Sequence, residues 1–388
     1  MMIGLVGAPN KGKSTLFSAM TTLNVAIASY PFTTIAPNKG AAYATAECPD
    51  KSLNLKCKPH NSLCVNGTRF VPVEVIDVAG LVPGAHLGKG MGNQFLNDLM
   101  QADMLVQVID ASGKTDINGN QTEGSDPVEE VRMVREELVM WMVEIIKRHA
   151  KKLAAGKDKA EALAELLGGF RVDKKEINSA LERSSLSLHI STWKESEIKN
   201  FASEMIKVSK PMIVAANKVD SASDEMITKI REGLSDFTVI ECSGAIELAL
   251  KKAGKEGIID YTSGERSFST LKEASEEKRN GLKFMEGFLK KRSTGVQEVI
   301  NTAVFNAMNC MVVYPVEDEY KYTDHFGNVL PDAVLVKGGS TASDLARKIH
   351  TELAAKMLYA VDARKKMRIA KDYELRNNDI IKIISAAR

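Results

Sequence analysis

Gly7-Ala8-Pro9-Asn10-Lys11-Gly12-Lys13-Ser14 decides how this chain is read. The octet lies between the apolar run Met2-Ile3-Gly4-Leu5-Val6 and the segment Thr15-Leu16-Phe17-Ser18-Ala19-Met20. That order predicts strand, glycine-bounded loop and helix, and the loop fits the phosphate-binding pattern GxxxxGK[ST]. Glycines let the backbone wrap closely and aim N–H groups at phosphate oxygens. The helix N-terminus adds a favourable dipole. Lys13 is expected to reach the β- and γ-phosphates, Ser14 to hold Mg²⁺, and the whole run from Gly7 and Ala8 through Thr15 to line the nucleotide.

Four further elements follow in order. Val71-Pro72-Val73-Glu74-Val75-Ile76 reads as a strand that ends at Asp77-Val78-Ala79-Gly80, a DxxG. Asp77 is expected to hold Mg²⁺, through water, and the Gly80 N–H to sense the γ-phosphate. Between loop and DxxG lies Tyr30-Pro31-Phe32-Thr33-Thr34. A Thr hydroxyl there can close over Mg²⁺ and release it after hydrolysis, and Thr34 is favoured over Thr33. Pro211-Met212-Ile213-Val214-Ala215-Ala216 reads as a buried strand leading into Asn217-Lys218-Val219-Asp220, an NKxD. Guanine offers N1–H and N2–H₂ donors that the Asp220 carboxylate can accept together. Adenine lacks that pair, so such a site discriminates by roughly 10⁴-fold or more. Lys218 is expected to cover the base face, and Asn217 to tie this loop to the phosphate loop. Finally, Phe237-Thr238-Val239-Ile240 leads to Cys242-Ser243-Gly244-Ala245, where a backbone N–H is expected to meet guanine O6. Gly244 stands where Ala is usual.

Many small GTPases place Gln directly after DxxG to orient the attacking water. Here that residue is Leu81, which cannot do so. Two substitutes are available nearby. Asn10 could coordinate a monovalent cation, K⁺, near the β–γ bridge. His86, in the glycine-rich run Gly84-Ala85-His86-Leu87-Gly88-Lys89-Gly90-Met91-Gly92-Asn93, could swing toward the γ-phosphate. A solvent-exposed loop histidine is the plainer alternative. Intrinsic hydrolysis is expected to be slow without a partner or K⁺.

With these residues in view, the chain resembles the Obg family of GTPases, and within it the archaeal-type YchF subfamily, over essentially its whole length. The resemblance implies a hydrophobic residue in place of the catalytic Gln, as at Leu81. Two positions depart from the pattern. Lys11 stands where Val is usual. The base motif is intact, whereas several YchF relatives have altered it and prefer ATP; the residues here argue for GTP.

Composition agrees with this. The chain has 388 residues, 44% hydrophobic and 26% charged, which suits a soluble protein of two or three domains. The net charge of +2 creates no global pull toward nucleic acid or membrane. No apolar run approaches the roughly 20 residues of a membrane span. The first strand begins at the N-terminus with no signal peptide before it, and a cytosolic location is expected. Five cysteines, an odd number, suit a reducing compartment. Three of them, Cys48, Cys57 and Cys64, cluster around His60. All four are zinc-ligand types, but the spacing matches no short CxxC knuckle, and free thiols in an inserted loop are the favoured reading.

About a hundred residues separate the strand Met104–Asp110 from the NKxD strand, far more than an ordinary connection needs. Asp126, Pro127 and Glu129 open a helix, with Val128, Val131, Val134, Leu138, Met142 and Ile145 at helical spacing. Asp173 and Glu176 open a second, and Glu195 to Val208 reads as a third. The segment is similar to the helical domain of YchF proteins. Lys147, Arg148, Lys151 and Lys152 suit RNA or, more simply, a solvated face.

The nucleotide domain is expected to close with a helix near Val296 to Phe305. Strands at Cys310–Tyr314, Ala333–Val336 and Ile380–Ile384, with a helix capped by Thr341 and Asp344 and running to about Leu353, predict a β-grasp fold. The run Lys337 to Asp344, with Asp372-Tyr373-Glu374-Leu375, resembles a TGS domain, which implies RNA or ribosome contact. Arg364, Lys365, Lys366, Arg368 and Lys371 suit phosphate contacts or a solvated strand edge.

The expectation is therefore an α/β P-loop G domain (1–112 and 210–306), a helical insertion (113–209) and a TGS domain (307–388). The chain reads as a cytoplasmic GTPase using GTP and Mg²⁺, with K⁺ as an optional aid and a monomer favoured over an oligomer, acting as a switch on ribosome or RNA. An ATP-preferring YchF-like ATPase and a nucleotide-gated adaptor with negligible turnover stay open as alternatives.

Overall fold

The computed structural model describes residues 1–22, 38–78, 80, 84, 98–155, 159–170, 172, 174–188 and 192–386. The chain divides into two compact units. The first comprises Met1–Asn24, Ala36–Gly40 and Glu74–Val299; the second comprises Val25–Ile35, Ala41–Val73 and Ile300–Arg388.

The main sheet contains β1 (Met2–Val6), β2 (Lys39–Glu47), β3 (Leu63–Val65), β4 (Thr68–Asp77), β5 (Met104–Asp110), β6 (Met212–Asn217) and β7 (Val239–Glu241), and β8 (Ile259–Asp260) and β9 (Ser269–Thr270) form a separate antiparallel pair. Its order is β2-β4-β1-β5-β6-β7, with β3 paired to β4. β1 pairs in parallel with β4 and β5, β5 with β6, and β6 with β7. All residues of β1 and β5 are buried, the pattern of central parallel strands covered on both faces. Their C-terminal ends lie side by side, which is where open parallel sheets bind ligands. Strand bounds expected from sequence lie within a few residues of those observed. β2 was not anticipated: Gly40-Ala41-Ala42-Tyr43-Ala44 is poor in β-branched residues.

The insertion opens with the helix Pro127–Ala155, whose cap Asp126 accepts the Val128 N–H through Oδ1 at 3.0 Å. Helices Lys174–Arg183 and Glu195–Ser209 follow as expected, although Asp173 lies outside the described residues. The insertion is not a separate module. Leu138, Trp141, Met142, Phe170 and Phe201 share one buried core with Val6, Ile76 and Leu105 of the sheet. Trp141 and Phe170 pack at 5.0 Å between ring centres. Sequence periodicity marks apolar faces but does not say which element covers them; here the sheet does. Among the described residues, no helix is long and apolar enough to cross a membrane.

In the second unit, a five-stranded sheet runs β11-β10-β14-β12-β13, with β10 at Cys310–Val316, β11 at Val334–Lys337, β12 at Met357–Asp362, β13 at Met367–Ile369 and β14 at Ile380–Ser385. β10 and β14 are parallel, and the other pairs antiparallel. Helix Ala342–Ile349 crosses it, held by the Thr341–Asp344 capping box. The helix stops short of Leu353 because His350 is extended (φ −161°), and a separate turn, Thr351–Ala355, follows. This is the expected β-grasp. Residues 41–73 belong to the same unit.

Candidate nucleotide site

Four of the five sequence elements fall at strand ends of the main sheet. The phosphate loop follows β1, Asp77 ends β4, Asn217 ends β6, and Ser243 follows β7. Helix Lys13–Thr21 starts inside the loop. Gly12 holds φ +83°, and a Cβ there would sit 2.4 Å from Asn217 Nδ2. No side chain fits between the phosphate loop and the base loop.

At the phosphate end, the Lys13 ammonium is ion-paired with Asp77 Oδ1, and the Ser14 hydroxyl donates to Asp77 Oδ2 at 2.9 Å. The two oxygens suit Mg²⁺, a hard cation. An Asp77 oxygen hydrogen-bonded to Ser14 Oγ is also placed to accept from a water on a metal that Ser14 ligates. Gly80 lies against the same loop: a Cβ there would be 3.6 Å from Gly7 O and from Pro9. Gly84 N–H donates to Glu137 Oε1 at 2.7 Å, tying the segment after DxxG to the insertion. Thr34, Leu81 and His86 lie outside the described residues.

At the base end, Asn217 Nδ2 donates to Lys11 O at 3.1 Å, the expected tie between loops. Lys218 Nζ donates to Asn10 O at 2.8 Å and to Asp110 Oδ2 at 2.9 Å. Asp220 is oriented from both sides: Ser243 Oγ donates to Oδ1 at 2.5 Å and Ser221 Oγ to Oδ2 at 3.1 Å. Each carboxylate oxygen keeps a second lone pair for a donor. The Gly244 N–H donates to Asn217 Oδ1 at 3.0 Å. Gly rather than Ala stands there because a Cβ would lie 3.1 Å from Leu16 Cα and 3.2 Å from Leu16 N. A methyl group there would require the Leu16 backbone to give by a few tenths of an ångström. Ala245 follows in the same helix, Gly244–Lys255.

Two P-loop side chains turn away from the phosphates. Asn10 Nδ2 donates to Gly119 O at 2.9 Å. Lys11, expected to add charge beside the nucleotide, is buried: its Nζ lies 2.7 Å from Glu130 Oε2 and donates to Thr115 O at 2.9 Å. Burial raises the Glu130 pKa, against the pull of Lys11.

Sequence reasoning missed Asp110 and Glu130. Asp110 accepts from Ser112 Oγ at 2.6 Å and Thr115 Oγ1 at 2.8 Å as well as from Lys218. Burial alone would raise its pKa; those hydrogen bonds outweigh burial and hold the carboxyl below its ordinary value. Its position at a strand end beside the base loop is the signal that could have found it. In the second unit, the basic run is exposed but engaged. Lys365 pairs with Asp362 at 3.1 Å, Lys366 Nζ stands 4.2 Å from the Tyr322 ring centre, and Arg368 3.9 Å from that of Tyr359.

Three family descriptions match the chain: a 50S ribosome-binding GTPase over residues 2–153, an Obg-like GTPase YGR210-like G4 motif-containing domain over 215–318, and a TGS domain over 326–385. The GTP-binding protein MJ1332 of Methanocaldococcus jannaschii is 51% identical, with both chains covered completely. The ribosome-binding ATPase YchF of Mycoplasma genitalium is 35% identical over 55% of each chain. Among solved structures, a GTP-binding protein from Pyrococcus horikoshii OT3 matches with a TM-score of 0.80 at 38% identity, with both chains covered completely.

Proposed function

Because the chain belongs to the Obg-like, YchF-type family of GTP-binding proteins, we propose that it hydrolyses GTP to GDP and phosphate and acts as a nucleotide switch on the ribosome. One observation carries the guanine reading: Asp220 is held by two hydroxyls, Ser243 and Ser221, which would offer a pre-oriented carboxylate to the base. A fixed carboxylate accepts the paired donors of guanine and repels the N1 acceptor of adenine. The Mycoplasma relative is named an ATPase; the intact Asn217, Lys218 and Asp220 argue against carrying that preference over.

The residues divide the work. Lys13 leaves Asp77 for the β- and γ-phosphates and neutralises charge that grows in the transition state. Ser14 and, through water, Asp77 would hold Mg²⁺, which would supply Lewis-acid charge at the triphosphate. Loop amides from Gly7 to Thr15 cradle the phosphates, and Gly80 N–H reads the γ-phosphate. Thr34 would close over the metal site and His86 would position water in place of the missing Gln; Asn10, whose Nδ2 is held by Gly119 O, would assist K⁺ only through its Oδ1. The TGS unit and the insertion supply the ribosome-facing surfaces, and the Mycoplasma relative's ribosome-binding name supports that role.

Competition binding tests the base preference: GTP displacing labelled GDP far better than ATP is expected, and a clear ATP preference overturns it. Turnover tests the chemistry. Lys13→Ala is expected to lower hydrolysis at least 10²-fold, the scale of losing one transition-state charge contact. Wild-type turnover that stays at background with K⁺ and with ribosomes would favour the adaptor instead.

A further inference from the structure

Cys48, Cys57 and Cys64 come together within the second unit. The chain leaves β2 at Cys48, turns through the short helix Pro49–Leu53 and returns as the β3–β4 hairpin. Cys64 sits in β3 directly opposite Arg69. The path closes on itself, with Cys48 N–H donating to Gly67 O at 2.9 Å. As a result, the three Sγ atoms and one carboxylate oxygen of Asp50 all lie within 4.8 Å of one another. Cys57 Sγ is 3.0 Å, and Cys64 Sγ 3.7 Å, from Asp50 Oδ2. His60 is outside the group: its side chain is 76% exposed and stands 3.7 Å from Asp332.

The surroundings are poorly balanced for neutral thiols. Cys48 and Asp50 are 1% and 9% exposed, and Asp50 Oδ1 has no hydrogen-bond partner. Arg69 is completely buried, with Nη2 on Leu330 O and Nε and Nη1 unpartnered. A buried guanidinium with spare donors costs several kcal/mol unless negative charge stands nearby. Three thiolates and a carboxylate around a divalent cation supply that negative excess.

We propose that Cys48, Asp50, Cys57 and Cys64 form a four-ligand structural site for one zinc ion. Three sulfur donors select a borderline-soft ion over Mg²⁺ or Ca²⁺. A tetrahedral site with Zn–S bonds of about 2.3 Å puts its sulfurs about 3.8 Å apart, so the four donors need only a small contraction. Donors this close share a single ion rather than separate irons of a cluster. Binding releases the thiol protons to solvent and leaves no open coordination position, which makes the ion a staple rather than a catalyst. The staple fixes a loop whose backbone is already tied to the rest of the second unit. Lys58 N–H donates to Val329 O at 2.8 Å and His60 N–H to Pro331 O at 2.7 Å. Asn61 exchanges two hydrogen bonds with Ala333.

The test uses the full chain, purified reduced and without chelator. Elemental analysis is expected to find one zinc per chain, retained through dialysis. After metal removal, added Co²⁺ is expected to give a thiolate charge-transfer band and the intense d–d bands of tetrahedral cobalt, reversed by zinc. Cys57→Ser and Asp50→Asn are expected to weaken Co²⁺ binding at least tenfold, and His60→Ala to leave it unchanged. A reduced wild-type chain that takes up no tetrahedral cobalt overturns the proposal whatever the variants do. So does a Cys57–Cys64 disulfide in chain prepared without oxidant, or loss of the cobalt spectrum in His60→Ala.

Discussion

The Lys11 ammonium meets the Glu130 carboxylate at 2.7 Å with side chains only 1% and 4% exposed, so one P-loop residue is bolted to the first turns of the insertion. Removing either partner leaves a buried charge alone, which costs about 3–5 kcal/mol, whereas replacing both by apolar groups is often neutral. Lys11→Met and Glu130→Leu should each lower stability by about that amount, and the double variant should recover most of it. Urea unfolding of the four proteins measures the coupling. Additive losses would show that the pair does not act as a unit.

Gly244 packs against the backbone of Leu16, two residues beyond the P-loop Ser14. A methyl group at 3.1 Å from Leu16 Cα has no flexible neighbour to push aside. Gly244→Ala should cost about 1–3 kcal/mol and weaken nucleotide binding through the displaced helix start. Thermal unfolding and GDP titration check both. An unchanged affinity would mean that helix Lys13–Thr21 accommodates the shift.

How much of this was legible depended on whether a feature was local. The loop Gly7–Ser14 and the motif Asn217–Asp220 carry their chemistry within a few residues, and both sit at strand ends as read. Glu130 was not legible, because nothing in its own helix announces that it reaches Lys11, and the departure from Val at residue 11 shows its meaning only beside its partner. The grouping of Asp50 with three cysteines depends on the register that sets Cys64 opposite Arg69, whereas the sequence offered His60 as the neighbouring ligand type and favoured free thiols. The β-grasp was readable from Thr341–Asp344 and the apolar strands. The strands Met357–Asp362 and Met367–Ile369, broken by exposed Leu358 and Met367, were not.

Ser243 holds Asp220 Oδ1 and also accepts the Ile246 N–H as helix cap, so in the proposed base site it would act through Asp220. Ser243→Ala should weaken GTP binding by about 1 kcal/mol, roughly fivefold, the worth of one orienting hydrogen bond. Asp220→Asn should go further and abolish the preference for guanine over xanthine, since the amide presents a donor where the carboxylate accepts. Calorimetric titration of GTP and XTP against the three proteins separates orientation from recognition. Equal GTP affinity in all three would remove Asp220 from the base site.

Asp110 links the base loop to the P-loop by receiving Lys218, whose ammonium also donates to Asn10 O. Its folded pKa lies below the ordinary carboxylate value of about 3.9, held there by Ser112, Lys218 and Thr115 against the opposing effect of burial. The folded state therefore favours the ionised form. The stability this contributes is complete above the unfolded pKa and disappears as pH falls through the folded one. Asp110→Asn lacks that titration. The stability gap between wild type and Asp110→Asn should be level from pH 7 to about pH 5 and narrow steadily below about pH 4. Guanidinium unfolding at fixed ionic strength across that range measures it. A gap that widens on acidification would mean that Asp110 is protonated in the folded protein and that Lys218 is held by Asn10 alone.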